Sequence, residues 1–240
     1  MIHYGLKVPP TRNPDRLLAI VDAATEVFAQ RGFAATQMVD VAQAAGVSVG
    51  TLYNYVEGKE ALLLLGAERP FADIVEGRVL PVPTPDRDEL LARLGDTLDA
   101  HVRVVALERA LAAPIGIDLV AAQMAGIAGE LFDLLATTRV GADAMERSAR
   151  DAPDLAELFY LRVRVRLLDQ LVAYCRQVDA VAPFPEPLTA DLAARFVLET
   201  VTWWARHRHR DPAPPAVDER QARRTAVALV VGALAPSPVG

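Results

Sequence analysis

The chain has few of the features on which several classes of protein depend. Its 240 residues include one cysteine, Cys175, so an internal disulfide is excluded and a reducing cytosol suits the sequence. Cys175 lies in an apolar helical stripe, where we expect it only to fill core space. The N-terminus lacks a secretory hydrophobic region, and no apolar run approaches the roughly 18 uncharged residues of a membrane span. These absences predict a cytoplasmic protein that does not enter a membrane.

Sequence signatures of catalysis, cofactor binding and metal binding are missing as well. There is no phosphate loop, no dinucleotide glycine pattern, no paired-cysteine spacing and no HExxH motif. His207 and His209 are two positions apart on a predicted helix, so their side chains face different directions and do not suit one metal ion. We therefore predict no catalytic residue, no metal ligand and no cofactor, and a protein that is not an enzyme.

Positive charge is scarce throughout the chain. The formal net charge is −6, and the first 66 residues contain five basic side chains against six acidic ones. Bulk electrostatic attraction therefore does not explain binding to nucleic acid. A nucleic-acid site in this chain requires basic groups gathered on one face, together with helix N-termini that point at phosphates.

Apolar residues, in contrast, are plentiful and regularly spaced. They make up 52% of the chain, which is too many for a disordered protein. They recur at helical spacing between clusters of Pro and Gly, and neither a strand pattern of useful length nor an internal repeat is present. The pattern predicts an all-α fold. Helices are expected at about 14–31, 36–55 (two short helices), 58–70, 86–111, 117–135, 153–178, 189–209 and 218–234, with a looser segment at 137–152.

The stretch from residue 36 to residue 55 predicts two short helices joined by a three-residue turn. Gly46 lies where the turn needs a left-handed residue, and Ser48 is a preferred N-cap for the second helix. The apolar seam between the helices consists of Val41, Ala45, Val47, Leu52 and Tyr55, and the outward residues are Ser48, Val49, Gly50, Thr51, Tyr53 and Asn54. These outward residues are short, polar or flat, and they fit a major groove of DNA. The alternative is a helical hairpin inside an ordinary helical protein.

The residues that flank this stretch extend the pattern. The full set is Ala23-Ala24, Phe28, Gly32-Phe33-Ala34-Ala35-Thr36, Asp40-Val41-Ala42, Ala45-Gly46-Val47-Ser48, Gly50-Thr51-Leu52-Tyr53-Asn54-Tyr55 and Gly58-Lys59-Glu60-Ala61-Leu62. With this set, the first quarter of the chain resembles the TetR family of bacterial transcriptional regulators. The departures are Val56, where the family usually has Phe, Gly58, where it often has Ser, and the unusual Gln37-Met38-Val39. These departures leave open which DNA sequence the chain would recognise.

The resemblance implies a division of the chain into two parts. Residues 1–66 would form a three-helix DNA-binding domain with the helix-turn-helix at 36–55, and residues 67–240 a helical bundle that dimerises and holds a small molecule. Tyr53 and Lys59 match family positions that contact the DNA backbone. The residues and the resemblance together predict DNA contacts from Thr36, Ser48, Val49, Gly50, Thr51, Tyr53, Asn54 and Lys59.

Two polar residues interrupt the apolar arc of the predicted helix at 153–178. Tyr160 and Arg164 lie one turn apart within this arc, and a buried guanidinium needs a partner. One interpretation is an internal ion pair with an acid such as Glu108 or Asp118, or a snorkelling stem. The other is a ligand pocket in which Arg164 binds a carboxylate or other anion, Tyr160 is a second polar anchor and His101 is a weaker candidate. An amphipathic acid is then the first effector class to consider.

The last two predicted helices have broad apolar faces, more than one bundle needs to cover. We expect these faces to form a four-helix dimer interface, which the resemblance also implies. The expected interface residues are Leu192, Phe196, Trp203, Val227 and Val231. The basic run 206–210 between the two helices is interpreted as a cationic helix C-terminus that complements the macrodipole, or as a basic cluster for an anionic partner.

The sequence therefore predicts a homodimeric transcriptional repressor that binds a pseudo-palindromic operator in double-stranded DNA and is released by a small-molecule effector. An alternative from a different class is a helical small-molecule-binding enzyme or carrier with a vestigial DNA-binding head. A third possibility is a constitutive DNA-binding module with a solid core.

Overall fold

The computed structural model describes residues 13–236, and this part of the chain forms twelve α-helices. They are α1 Pro14–Arg31, α2 Met38–Ala44, α3 Val49–Tyr53, α4 Lys59–Glu68, α5 Arg87–His101, α6 Val105–Leu111, α7 Ile117–Thr137, α8 Arg139–Ser148, α9 Pro153–Glu157, α10 Arg166–Val181, α11 Ala190–Ala205 and α12 Glu219–Leu234. A π-helical segment, Leu158–Val165, joins α9 to α10, and a 3₁₀ turn, His207–His209, follows α11. The only β-type pairing among the described residues is an isolated bridge between Val56 and Val82. The predicted all-α fold is confirmed.

Side-chain caps fix the starts of several helices. Asn13, Ser48, Asp86, Thr189 and Asp218 each accept a hydrogen bond of 2.6–3.3 Å from a backbone N–H two or three residues further on. Each bond satisfies an N–H that has no partner inside its helix and stabilises the helix by about 1 kcal/mol. The predicted cap Ser48 is among them.

Two helix predictions are wrong. The helix expected at 86–111 is broken between His101 and Val105, where the extended Val104 is buried and starts a second hydrophobic core. The segment expected to be loose at 137–152 contains α8. Its buried face includes Asp143 and Ser148. Because these two residues are polar, they interrupt the spacing of apolar residues from which a helix is predicted.

The long helix predicted at 153–178 is present as the continuous series of α9, the π-helical segment and α10. Hydrogen bonds between residues five apart insert extra residues into a π-helical turn and rotate the side chains that follow. An extrapolation at 100° per residue therefore assigns the wrong face. Tyr160, expected inside the apolar arc, is 40% exposed and contacts the ring of Phe159 edge-on, with the centroids 5.2 Å apart.

The buried apolar residues form two cores that do not divide at residue 66. The first core joins α1–α5 to Met145 on α8, Leu155 on α9 and Phe159 in the π-helical segment. The second core joins α6, α7 and α10–α12. The proposed domains 1–66 and 67–240 stay a prediction, and residues 1–12 and 237–240 lie outside the described range. The N-terminal helices pack against α8 and α9 and share a core with them.

α7 combines helical length with an apolar composition. It is the one helix within residues 13–236 that is long and apolar enough to cross a membrane, judged by length and composition alone. Residues from Val120 to Phe132 on one of its faces are buried in the second core, and α7 packs against α6, α11 and α12. A core helix of a bundle has this arrangement.

Candidate DNA-binding surface and ligand cavity

α2 and α3 form a helix-turn-helix whose turn has the predicted geometry. Gly46 adopts a left-handed φ of 65°, which glycine does without a Cβ clash. The Val47 N–H donates to the Ala42 carbonyl at 2.9 Å and closes the turn. Ser48 caps α3, because its Oγ accepts from the Thr51 N–H at 3.1 Å. Of the predicted seam, Val41, Leu52 and Tyr55 are buried, and Ala45 and Val47 are half-buried.

The outer face of α3 does not pack against the protein core. Val49, Gly50, Tyr53 and Asn54 are exposed, while Thr51 is half-buried and shares a 2.8 Å hydrogen bond with the hydroxyl of Ser48. A Cβ added at Gly50 meets only the Ser48 Oγ, at 3.9 Å. α3 thus presents a low, flat surface, which suits close approach to base edges.

Thr36 and Lys59 do not have the positions expected of DNA contacts. Thr36 is 1% exposed, and its hydroxyl donates to the Gly32 carbonyl at 2.7 Å. The Lys59 ammonium donates to the carbonyls of Phe33, Ala34 and Thr36 at 2.9, 3.4 and 3.2 Å and lies 4.5 Å from the centroid of the Phe33 ring. Lys59 therefore uses all three of its donors to hold the loop between α1 and α2.

Arg31 is also engaged within the protein. It pairs with Asp40 at 2.6 Å. The Gln37 N–H donates to the same carboxyl at 2.9 Å, and this hydrogen bond, followed by the contact with Arg31, lowers the pKa of Asp40. The expected cluster of basic groups therefore does not form from Arg31 and Lys59 in this structure.

The loop that precedes α2 is fastened to the body of the protein. The Phe33 N–H donates to the Ser148 Oγ on α8 at 2.9 Å, and the Arg87 guanidinium of α5 lies 5.7 Å from the Phe33 ring. Arg87 in turn binds both carboxylate oxygens of Asp154 on α9, at 2.6 and 2.5 Å. These two hydrogen bonds are the main reason that the pKa of Asp154 is lowered.

A cavity of about 100 Å³ lies between the N-terminal helices and the bundle. Its walls come from α1, α4, α5, α7, α8, the π-helical segment, α10 and α11. α1 contributes Thr25 and Phe28, and α4 contributes Leu63, Gly66 and Ala67. The helices that support the helix-turn-helix thus form one side of the cavity.

Arg164 lines this cavity, but not as an unpaired cation. Its Nη2 donates to the Glu199 Oε1 on α11 at 2.6 Å, with both side chains partly exposed. An internal ion pair is thus present, although the suggested partners were wrong. Glu108 instead binds Arg103, whose hydrogen bond lowers the pKa of this carboxyl. Sequence reasoning missed Glu199 because nothing local relates it to Arg164.

His101 and Tyr160 lie behind the cavity wall rather than in it. The His101 ring stacks on Phe71 at 4.7 Å with an interplanar angle of 8°, while Tyr160 contacts Phe159. Phe71 and Phe159 line the cavity, whereas His101 and Tyr160 are exposed and are not among its lining residues. This cavity is therefore lined by Arg164 but not by Tyr160 or His101, unlike the pocket of the second interpretation.

Arg206 is a charged lining residue that sequence reasoning did not assign to a cavity. It is 5% exposed and donates from Nη2 to Asp143 at 2.6 Å and to Glu146 at 3.0 Å, both on α8. Arg208, also buried, donates to the Trp204 carbonyl at 2.7 Å and pairs with Glu219. The basic run after α11 is thus partly a buried ion network and not a simple exposed helix end. Its partners on α8 belong to a helix that was not predicted.

The comparisons with known proteins agree with the geometry of the N-terminal helices. Residues 20–65 match the family model described as bacterial regulatory proteins, tetR family. This segment of the chain is therefore similar to the N-terminal DNA-binding region of TetR-family regulators. An uncharacterised HTH-type transcriptional regulator of Mycobacterium tuberculosis is 37% identical over 94 residues, which is 39% of this chain and 46% of the relative.

Other transcriptional regulators also match part of the chain. The HTH-type transcriptional repressor KstR2 of Rhodococcus jostii is 40% identical over 48 residues, 20% of this chain and 24% of the relative. The chain thus spans between 17% and 46% of the length of the curated relatives it matches. The structure of the ketosteroid transcriptional regulator KstR2 of Mycobacterium tuberculosis is 19% identical, covers 92% of this chain and 96% of that one, and has a TM-score of 0.58. The likeness of fold to that structure extends over both cores.

The residues expected at a TetR dimer interface lie on the outer side of α11 and α12. Leu192 is 53% exposed and Phe196 37% exposed. Trp203, Val227 and Val231 are half-buried, and the two valines pack partly against the second core. A further apolar residue that the sequence did not single out, Leu229 on α12, is also exposed. The interface itself stays a prediction.

Proposed function

We propose that this chain is a homodimeric transcriptional repressor that binds a pseudo-palindromic operator and is released from it by a small molecule. The observation that carries the proposal is the position of the cavity, because α1 and α4 supply part of its wall. A molecule that binds there contacts the helices that hold α2 and α3. The matched family model and the exposed outer face of α3 support DNA recognition.

The release step requires that the molecule bind two arrangements of the protein with different affinity. A shift of α1 or α4 would be passed to α2 through the loop that Lys59 and Ser148 hold. In a dimer, the same shift would change the distance between the two copies of α3, and with it the fit to two half-sites. We propose a cytoplasmic location for such a regulator.

We further propose that the chain is not an enzyme. The polar side chains that line the cavity are Arg164, Arg206 and three threonines. This set includes hydroxyls but no general base that could activate one of them.

Selection of DNA from a random library tests the proposal directly. The purified full-length chain should enrich an inverted repeat whose half-sites are centred about 10 bp, or a multiple of this, apart. The selected duplex should then shift in gel electrophoresis as a complex with two protein chains per site. Enrichment of no sequence, or of a single half-site bound by one chain, would contradict the proposal.

A further inference from the structure

The hydrogen-bonding groups of the cavity are unevenly used. Thr25 and Thr138 line it, but their hydroxyls donate to the carbonyls of Val21 at 2.8 Å and Leu134 at 2.7 Å, one turn earlier in their own helices. Thr202, 2% exposed, also lines the cavity, and its hydroxyl takes part in none of the hydrogen bonds among residues 13–236. Free donor capacity is thus absent at the first two threonines and present at the third.

Arg206 lies one helical turn after Thr202 and also has an unused hydrogen-bonding group. Its Nε is buried and has no hydrogen-bond partner within residues 13–236. Buried donors are nearly always satisfied, and an unpaired one costs more than the net gain of a typical hydrogen bond. Thr202 and Arg206 therefore form a polar corner, at which two neighbouring side chains have unused hydrogen-bonding groups.

The charges at this polar corner are already balanced. Nη2 of Arg206 contacts Asp143 and Glu146, and Arg210 contacts the second oxygen of Asp143 at 2.7 Å. Two guanidinium groups thus face two carboxylates. A bound carboxylate would add a third negative charge to a buried cluster, which is unfavourable, whereas a neutral oxygen accepts a hydrogen bond without that cost.

The rest of the cavity is shaped for an apolar molecule. Its other walls are mainly aliphatic and aromatic, for example Phe28, Leu63, Leu98, Leu135, Met145 and Phe159. A volume of about 100 Å³ is several times what one water needs and is of the same order as a ~150 Å³ apolar cavity that binds benzene. The space therefore suits a compound with one ring, or one end of a larger compound.

We infer that the effector of the proposed repressor is a predominantly apolar, uncharged molecule whose ketone, ester or hydroxyl oxygen binds Arg206 and Thr202. This inference rests on the proposed function and replaces the amphipathic acid that the sequence suggested. Arg164, the expected anchor of that acid, is partly exposed and bound to Glu199. The polar corner fixes the chemical class of the effector, and the apolar walls supply most of the contact area.

Three probes with equal numbers of heavy atoms separate the possibilities: acetophenone, cumene and benzoate. Their affinities for the full-length chain can be measured by isothermal titration calorimetry. Acetophenone should bind about tenfold more tightly than cumene, because it adds a hydrogen bond to a buried cation. Benzoate should bind at least tenfold more weakly than acetophenone.

Two variants locate the preference. Thr202→Val removes the hydroxyl and keeps the shape, and Arg206→Lys keeps a cation next to Asp143 but removes Nε. Each should reduce the preference for acetophenone over cumene to about threefold or less, with little change in the affinity for cumene. Thr25→Val is the matched control, because this hydroxyl lines the same cavity but is already bonded; it should keep the preference.

Several results would overturn the inference: tightest binding of benzoate, equal binding of acetophenone and cumene, no binding of any probe, or an unchanged preference in both variants. Binding to the selected operator without probes is measured in parallel. Intact operator binding with any of these results refutes the effector class and leaves the regulator standing. If the chain prefers acetophenone as expected but binds no operator, the polar corner is a ligand site, and its role as an effector site is refuted.

Discussion

The backbone N–H of Phe33 donates a 2.9 Å hydrogen bond to the Oγ of Ser148, across 115 positions of the chain. Ser148 is fully buried, and its own hydroxyl donates to the Ala144 carbonyl at 2.6 Å. The bond links the loop before the helix-turn-helix to the last turn of α8. It is therefore a direct connection between the DNA-binding helices and the wall of the cavity.

Loss of this acceptor should destabilise the protein. Ser148→Ala leaves the buried Phe33 N–H without its partner, and we expect the free energy of unfolding to fall by about 1–3 kcal/mol. Urea denaturation at fixed protein concentration measures the change. Thr97→Ala is the control, because the Thr97 hydroxyl bonds only to Arg93 in its own helix; a loss as large as that in Ser148→Ala would show that the link across the chain has no special weight.

Lys59 should act on the fold rather than on DNA phosphates. Lys59→Ala removes three donors from the loop carbonyls, so it should lower the free energy of unfolding by about 1–3 kcal/mol and weaken operator binding to a similar degree at every salt concentration. The slope of log K against log salt should not change. A slope smaller by about one unit would mean that Lys59 releases a counterion and leaves its carbonyl partners when DNA binds.

Gly50 should be required for DNA binding but not for folding. A larger side chain at this exposed position meets only the Ser48 Oγ, while its bulk would hold α3 away from the base edges. Gly50→Leu should abolish binding to the selected operator and leave the unfolding free energy unchanged or up to about 1 kcal/mol higher, because Gly is a poor helix former. Gly50→Ala should lie between wild type and Gly50→Leu. Near wild-type affinity in Gly50→Leu would refute the docking of α3.

Phe196 should be needed for association of two chains. Phe196→Glu places a carboxylate on the outer side of α11, one turn from Glu199, and a charge buried in an apolar interface costs several kcal/mol unless it is paired. Sedimentation velocity should then show monomers. Val181→Glu is a matched control, because Val181 is 38% exposed and Phe196 is 37% exposed, but Val181 lies at the end of α10 instead. An undisturbed dimer in Phe196→Glu would place the interface elsewhere.

His207 should make stability dependent on pH in a mildly acidic range. Burial, followed by the neighbouring Arg206, lowers its pKa below the ordinary value of 6.5, although Glu146 and Asp143 oppose the shift. The unfolded chain therefore binds a proton at a higher pH than the folded one does, and stability falls as the pH drops through 6.5 towards the folded pKa. The carboxyls with lowered pKa, such as those of Asp154 and Glu108, also stabilise the folded protein, but their contribution is lost only at lower pH.

Urea denaturation between pH 7.5 and 5.5 measures this dependence. His207→Gln should flatten it, though not fully, because burial and then Arg139 also lower the pKa of His209. Higher stability at pH 5.5 than at pH 7.5 would show that the sign of the shift is wrong.

The helix-turn-helix could be predicted because its determinants lie close together in the sequence. Gly46 and Ser48 act on their own turn, and Val41, Leu52 and Tyr55 meet through a fixed spacing. The partner of Arg164 and the polar corner could not be predicted, because Glu199 and Asp143 meet their arginines only in the packed bundle. Lys59 has the residue type of a phosphate contact, and only the path of the preceding loop shows what its ammonium binds.

The first core makes the N-terminal helices dependent on residues far along the chain. Met145, Leu155 and Phe159 complete the packing of α1–α5. During synthesis, the N-terminal helices emerge from the ribosome well before these residues, so their apolar undersides stay uncovered until about two thirds of the chain has been made. The packing that supports the helix-turn-helix is thus completed late in translation. Exchange of these helices with those of a similar regulator would have to include the contact faces of α8 and α9, not only the first 66 residues.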